Sequence, residues 1–300
     1  MNDLYERATW LFDWLHSIWE HERIERLLAT FLVLFFIGGL AMIEANIRGL
    51  LPEPLAHLTP TNHFYAIKLA FTLVLVIEVI GLVFVLPASV SKAVGKQFEI
   101  LCLILLRNSF KELVNFTEPI ELSGGLPAPL FPMLAEAAGA LAVFSGLMVY
   151  YRLYRHRRGL KEKIDLYSFV AEKKIVALFL LAAFAGIGVF GLYETAMDRP
   201  HFDPFAVFYT VLIFSDILIV LLAQRHLPSF AAIFRNSGFA VATLLIRLAL
   251  AAKPYADVLL GVFSVAFAIG LTLAYNAFLP QRGEAPGLPA HLAEPPRKEG

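Results

Sequence analysis

Apolar stretches of bilayer length constrain this chain more than any other feature. A hydrocarbon core roughly 30 Å thick takes about 20 helical residues to cross. Runs of that scale occur at Leu27–Ile47, Phe64–Pro87, Gly95–Val114, Phe131–Leu153, Ile175–Met197, Pro204–Gln224, Gly238–Ala252 and Tyr255–Leu279. None alternates with the two-residue period of a strand, so the spans read as helices rather than as a barrel. The 300 residues are 58% hydrophobic, with a mean hydropathy of +0.68. Soluble domains hold roughly 45–50% apolar residues. The predicted class is therefore an all-α integral membrane protein with eight transmembrane helices.

The third and seventh runs each contain an arginine, and loop charge decides whether they cross. If both cross, Lys92, Lys96, Arg225, Arg235 and the basic stretch after the fourth run (Arg152, Arg155, Arg157, Arg158, Lys161, Lys163) share one side. The other side then holds Glu53, Glu112, Glu118, Glu121, Asp198 and Asp203. Basic residues close to a span stay cytoplasmic. Eight crossings of a cell (inner) membrane with cytoplasmic N- and C-termini satisfy the rule, and the lipid bilayer is the expected surrounding.

One motif occurs twice. An apolar run with one acid, a short basic turn and a second apolar run with one arginine stand at about 73–110 and again at about 211–250. The acids are Glu78 and Asp216; the arginines are Arg107 and Arg247. Glu44 and Glu194 end the first and fifth runs, Pro87 and Pro228 follow the second and sixth, and Ser145–Tyr151 resembles Ile269–Asn276. These landmarks predict a duplication into two parallel four-helix repeats, since an even number of spans per half keeps both halves in one orientation. The expected division is an N-terminal helix at 1–26, a first repeat at 27–154, a basic cytoplasmic linker at 155–174, a second repeat at 175–279 and a disordered tail at 280–300.

An arginine at the bilayer centre costs at least about 2.5–3.5 kcal/mol unless it finds a partner. With antiparallel neighbours and about 1.5 Å of rise per residue, Glu78 reaches the depth of Arg107, and Asp216 that of Arg247. Two pairs are expected, Glu78/Arg107 and Asp216/Arg247, either as locks between helices or as lining of an ion pathway. A second group, Glu44, Glu136 and Glu194 with Lys68 and Asp257, falls near the outer span ends, either as ordinary interfacial charge or as an acidic outer vestibule that concentrates cations. The runs Gly38–Gly39, Gly186–Gly188 and Ala135–Ala142 are expected to let helices approach closely.

Residues 1–26 repeat Leu4, Ala8, Leu11, Leu15 and Ile18 at helical spacing and hold all three tryptophans, Trp10, Trp14 and Trp19. This predicts an amphipathic helix at the membrane interface or on a partner protein, including self-association. The tail from Pro280 has five prolines and few apolar residues, a composition expected to be disordered.

Several classes are excluded. A formal net charge of zero gives nucleic acid no footing. One cysteine, Cys102, allows no intramolecular disulfide. No histidine lies mid-span, and the metalloprotease, nucleophile-elbow and P-loop motifs are absent, so no catalytic residue, metal or cofactor is expected. The expectation is a non-enzymatic transporter or channel for a small ion or proton-coupled solute. The alternative is a membrane scaffold or partner subunit with the charge pairs as locks.

Overall fold

The computed structural model describes residues 2–88, 90–118, 126–155, 166–197, 203–226 and 230–278. Among them every regular element is helical: α1 (Asn2–Trp19), α2 (Glu22–Ile47), α3 (Glu53–Leu58), α4 (Phe64–Val85), α5 (Val90–Lys111), a 3-10 turn (Glu112–Asn115), α6 (Leu130–Arg155), α7 (Leu166–Ala196), α8 (Pro204–His226), α9 (Phe230–Ala251) and α10 (Ala256–Phe278). Seven of the described helices, α2, α4 and α6–α10, are long and apolar enough to cross a membrane. The predicted tail, most of the linker and the turn holding Pro228 lie outside the described residues.

Several predicted boundaries move, each for a local reason. His21 caps α2, its Nδ1 accepting from the Arg23 backbone N–H at 3.2 Å, so the N-terminal segment breaks there and residues 22–26 join α2. Helix α7 begins at Leu166, inside the predicted linker, because Phe169 and Ala171 are buried against the bundle. Helix α9 begins at Phe230, which makes the short seventh run a helix of 22 residues. Helix α5 also has 22 residues. Its lysines, Glu99 and Arg107 dilute its hydropathy, yet Phe98, Leu101 and Leu105 on it are almost wholly buried.

Two apolar cores hold the bundle, and neither follows the halves of the chain. One joins α5 and α6 to α9 and α10 through Phe98, Leu101, Val143, Tyr150, Phe239, Ile246 and Val265. The other joins α4 to α7, α8 and α1 through Val83, Leu180, Phe208, Leu212 and Phe12. Helix α2 touches mainly α4. Its large apolar side chains, Leu27, Phe31 and Leu34 among them, stay exposed, as a lipid-facing helix requires. Cys102 is a small packing residue in the first core.

The face by which α1 docks differs from the expected stripe. Phe12, Leu15 and Trp19 turn inward, Trp19 packing on Phe84 with ring centroids 5.6 Å apart, and Asp13 pairs with Lys174 of α7 at 2.7 Å. Leu11 and Ile18 point outward beside Trp10 and Trp14, whose rings stack at 6.5 Å. α1 thus packs one apolar face on the bundle and leaves further apolar side chains facing outward. It also marks one end of the bundle, opposite the end bearing α3.

Helices α6 and α10 cross closely. A β-carbon on Gly139 would come within 2.6 Å of Val258 Cγ1, and one on Gly146 within 2.9 Å of Val265 Cγ1. Among the described residues the expected close approaches at Gly186 and Gly188 are not made, as nothing lies within 4 Å of a β-carbon at either. Gly39 makes only ordinary contact, 3.5 Å from Ala66 Cβ. We predict that Gly139→Leu or Gly146→Leu destabilises the protein by roughly 1–3 kcal/mol through overpacking, read as a lower midpoint of thermal unfolding in detergent. Gly186→Ala is expected to leave the midpoint unchanged or slightly raised.

Candidate functional site

Apolar helices bury few charges, so each buried charge has to be accounted for. Arg107 of α5 faces Glu78 of α4 in direct contact, and both side chains are largely buried. Its remaining donors reach backbone oxygens: Nε gives to Leu103 O at 3.2 Å, and Nη1 approaches Phe71 O at 3.5 Å. This pair is nearly saturated.

The second predicted pair forms as well, with different geometry. Arg247 of α9 is fully buried, and its Nε lies 3.5 Å from Asp216 Oδ2 of α8. That is an ion pair at the limit of hydrogen-bonding distance. Among the described residues the three guanidinium nitrogens of Arg247 and Oδ2 of Asp216 have no hydrogen-bond partner. The two pairs are not isolated from each other, since buried Tyr209 of α8 feels the charge of both Arg107 and Arg247.

Asp216 stands at the middle of α8, where it opens onto a cleft of about 40 Å³. The cleft runs toward the α1 end, lined by Leu86, Gln97 of α5, Lys173 of α7, Ala223 of α8, and Asn236 and Thr243 of α9. Gln97 and Asn236 are 2% and 3% exposed, and Gln97 Oε1 and Asn236 Oδ1 have no partner among the described residues. Lys173 donates to Ala88 O at 3.0 Å, capping the turn after α4, and its Nζ lies 4.3 Å from the Phe169 ring centroid.

The sequence reading missed Gln97, Asn236, Thr243 and Lys173. A signal existed for two of them. Each arginine-bearing helix carries a basic–amide step near its start, Lys96–Gln97 in α5 and Arg235–Asn236 in α9, and both amides line the cleft. Lys173 was hidden by its basic surroundings, which read as a solvated linker.

The acids near the outer span ends occupy separate settings. Glu44 pairs with Arg48 and contacts His63 Nε2 at 3.2 Å, while His63 Nδ1 meets Glu118 at 2.8 Å. Glu136 and Asp257 lie buried where α6 meets α10, 1% and 3% exposed, within hydrogen-bonding reach of each other. Glu194 is half-buried on α7. Lys68 is exposed over the Tyr65 ring at 5.2 Å and lines a second cleft of about 50 Å³ with Thr72, Arg107 and Lys111. Glu99 takes Lys96 at 2.6 Å and the Tyr151 hydroxyl at 2.5 Å. Among the described residues no group of three or more His, Cys, Asp or Glu side chains is placed to hold a metal ion.

No protein-family model matches this chain, no curated protein resembles it in sequence, and no solved structure resembles it in fold. The functional reading therefore rests on the geometry.

Two outcomes follow. Removing one member of the Glu78/Arg107 pair leaves a buried charge and should cost about 3–5 kcal/mol, whereas replacing both with apolar residues should be near neutral. A double-mutant cycle of Glu78→Leu and Arg107→Met, read by thermal unfolding, checks this. The loop contact at the α3 end should depend on pH. The Glu118 hydrogen bond, with Glu44 assisting, raises the His63 pKa above its ordinary 6.5 against the opposing effect of desolvation. Its contribution is therefore fully present below about pH 6.5 and is lost as pH rises through the raised value. In a His63→Gln variant that segment of the stability profile should flatten.

Proposed function

We propose that this chain is a membrane transporter or channel for a small ion or proton-coupled solute, with Asp216 and Arg247 on its pathway. One observation carries the reading: the second charge pair, alone of the two, stands unsaturated, and its acid borders an internal cleft. A pair serving only as a lock would be expected to fill its hydrogen bonds, as Glu78 and Arg107 do. In this reading the first pair is the lock and the second the moving part.

The same proposal counts α5 as an eighth crossing and places the α1 end in the cytoplasm of a cell (inner) membrane. It also includes the duplication. Support comes from like packing on like, α5 against α9 and α6 against α10. Further support comes from polar clasps at matching places: Glu99 holds Tyr151 at the end of α6, and Arg235 holds Tyr275 near the end of α10 at 3.2 Å. The scaffold reading keeps one observation in its favour, the outward pair Trp10 and Trp14 on α1.

Purified protein in sealed liposomes, under an imposed potential and a pH gradient, tests the proposal. The native chain is expected to pass ions. Asp216→Asn with Arg247→Met, which removes the buried charge together with its partner, is expected to fold and to abolish flux, and Glu78→Leu with Arg107→Met is expected to retain it. Folded native protein with no flux under either gradient would remove the ion and proton readings and favour the scaffold.

A further inference from the structure

Helix α1 has three sides, set by the turn of about 100° between successive residues. Phe12, Leu15 and Trp19 meet the bundle. Glu6, Asp13 and Glu20 recur at every seventh position and form an acidic edge. The third side holds Trp10, Leu11, Trp14 and Ile18 with Arg7, and no acid. Trp10 is 68% and Trp14 50% exposed, and Leu11 and Ile18 also face outward.

Packing fixes the depth of this third side. A β-carbon on Gly81 would stand 3.7 Å from Trp19 Nε1. The Phe84 ring lies 5.7 Å from that of Phe12 and 5.6 Å from that of Trp19. Lys174 takes Asp13 at 2.7 Å. Gly81, Phe84 and Lys174 all belong to segments long and apolar enough to cross a membrane, Phe64–Val85 and Phe169–Glu194. Helix α1 therefore packs on the flanks of two such segments, over the last turn of one and the first turns of the other. Helix α2 continues from the break at His21 and exposes Leu27, Phe31 and Leu34, so the chain enters lipid within about two to three turns of Trp19. A helix held at that level turns its outward side to the boundary between headgroups and acyl chains.

The chemistry of the side fits that boundary. An indole has a broad apolar ring and one N–H donor, which suits the level where acyl chains meet lipid ester and phosphate oxygens. Among the described residues neither the Trp10 nor the Trp14 N–H has a hydrogen-bond partner. Charge says which lipid. Residues 1–26 hold six acids against three arginines, so an anionic surface would repel the segment. Burial of apolar area is then the attraction.

We propose that α1 is an interfacial anchor. Trp10, Leu11, Trp14 and Ile18 seat in zwitterionic phospholipid of the leaflet at the α1 end, roughly 5–10 Å into the headgroup and acyl boundary, while Glu6, Asp13 and Glu20 face water. The assignment does not depend on the transport function proposed above. It gives the outward tryptophan pair to lipid and so withdraws it as a docking surface for a partner protein.

All three tryptophans of the chain lie on α1, so intrinsic emission reports this helix alone. Trp19→Phe leaves the outward pair, and Trp10→Phe with Trp14→Phe leaves the inward ring. Each full-length protein is reconstituted in phosphatidylcholine vesicles whose acyl chains carry bromine near the ester end or near the methyl end. Trp19→Phe is expected to lose most of its emission to ester-end bromines and less to methyl-end bromines, and little to iodide present on both faces. The double variant is expected to lose clearly less to either lipid. Brominated phosphatidylglycerol is expected to quench no more than brominated phosphatidylcholine. If Trp19→Phe fails to fold, the difference between native protein and the double variant reads the same pair. Iodide quenching without bromine quenching would place the pair in water and overturn the proposal. Protection from both quenchers would put a second copy or another protein on that side, overturning the proposal and supporting the scaffold. Stronger quenching by methyl-end bromines would overturn the interfacial depth, and stronger quenching by phosphatidylglycerol would overturn the choice of lipid. Flux measurements decide the transport reading separately.

Discussion

A guanidinium in an apolar bundle governs much of this structure. It cannot shed its proton at ordinary pH and cannot lie bare against hydrocarbon, so the helix that carries it must sit beside an acid at the same depth. Helices α5 and α9 both obey this. Arg107 fixes α5 against α4 through Glu78, and Arg247 fixes α9 against α8 through Asp216. Once those neighbours are set, the remaining apolar faces of α5 and α9 pack on each other and on α6 and α10. The core of α5, α6, α9 and α10 is the result.

The contrast between the two pairs matters more than their likeness. Around Arg107 the carbonyl oxygens of Leu103 and Phe71 complete a shell, and such a shell holds its members in one arrangement. Among the described residues no such shell surrounds Arg247, and a carboxylate oxygen and two amide oxygens on nearby helices lack donors. A site with unspent hydrogen-bonding capacity can exchange partners at small cost. That is the physical property a pathway requires and a clamp avoids.

Much of this was legible in the sequence. Helix length, apolar composition and the repeated acid and arginine positions needed only periodicity and the cost of buried charge, which are local properties of the chain. The pairing of Glu78 with Arg107 and of Asp216 with Arg247 followed from depth along antiparallel neighbours. The cleft was not legible, because Gln97, Asn236 and Lys173 come from separate segments and converge only when α5, α7 and α9 pack. The setting of each outer acid was not legible either. Glu44, Glu136 and Glu194 share a depth, but depth says nothing of azimuth, and Glu136 turns into the α6–α10 interface while Glu44 pairs with Arg48.

The glycines divide along the same line. Gly139, Gly146, Gly186 and Gly188 are alike in one dimension, each a small residue in an apolar helix. Only packing decides that the first two meet Val258 and Val265 while the others meet nothing. The chain alone thus determined the class, the helices and which charges must be neutralised, since these depend on hydrophobic length and on the energy of an ion in hydrocarbon. Tertiary structure alone decided which face each helix turns inward, and with it the unequal pairs, the glycine crossing and the cleft. Those depend on rotation about each helix axis, which shape complementarity between neighbouring helices settles.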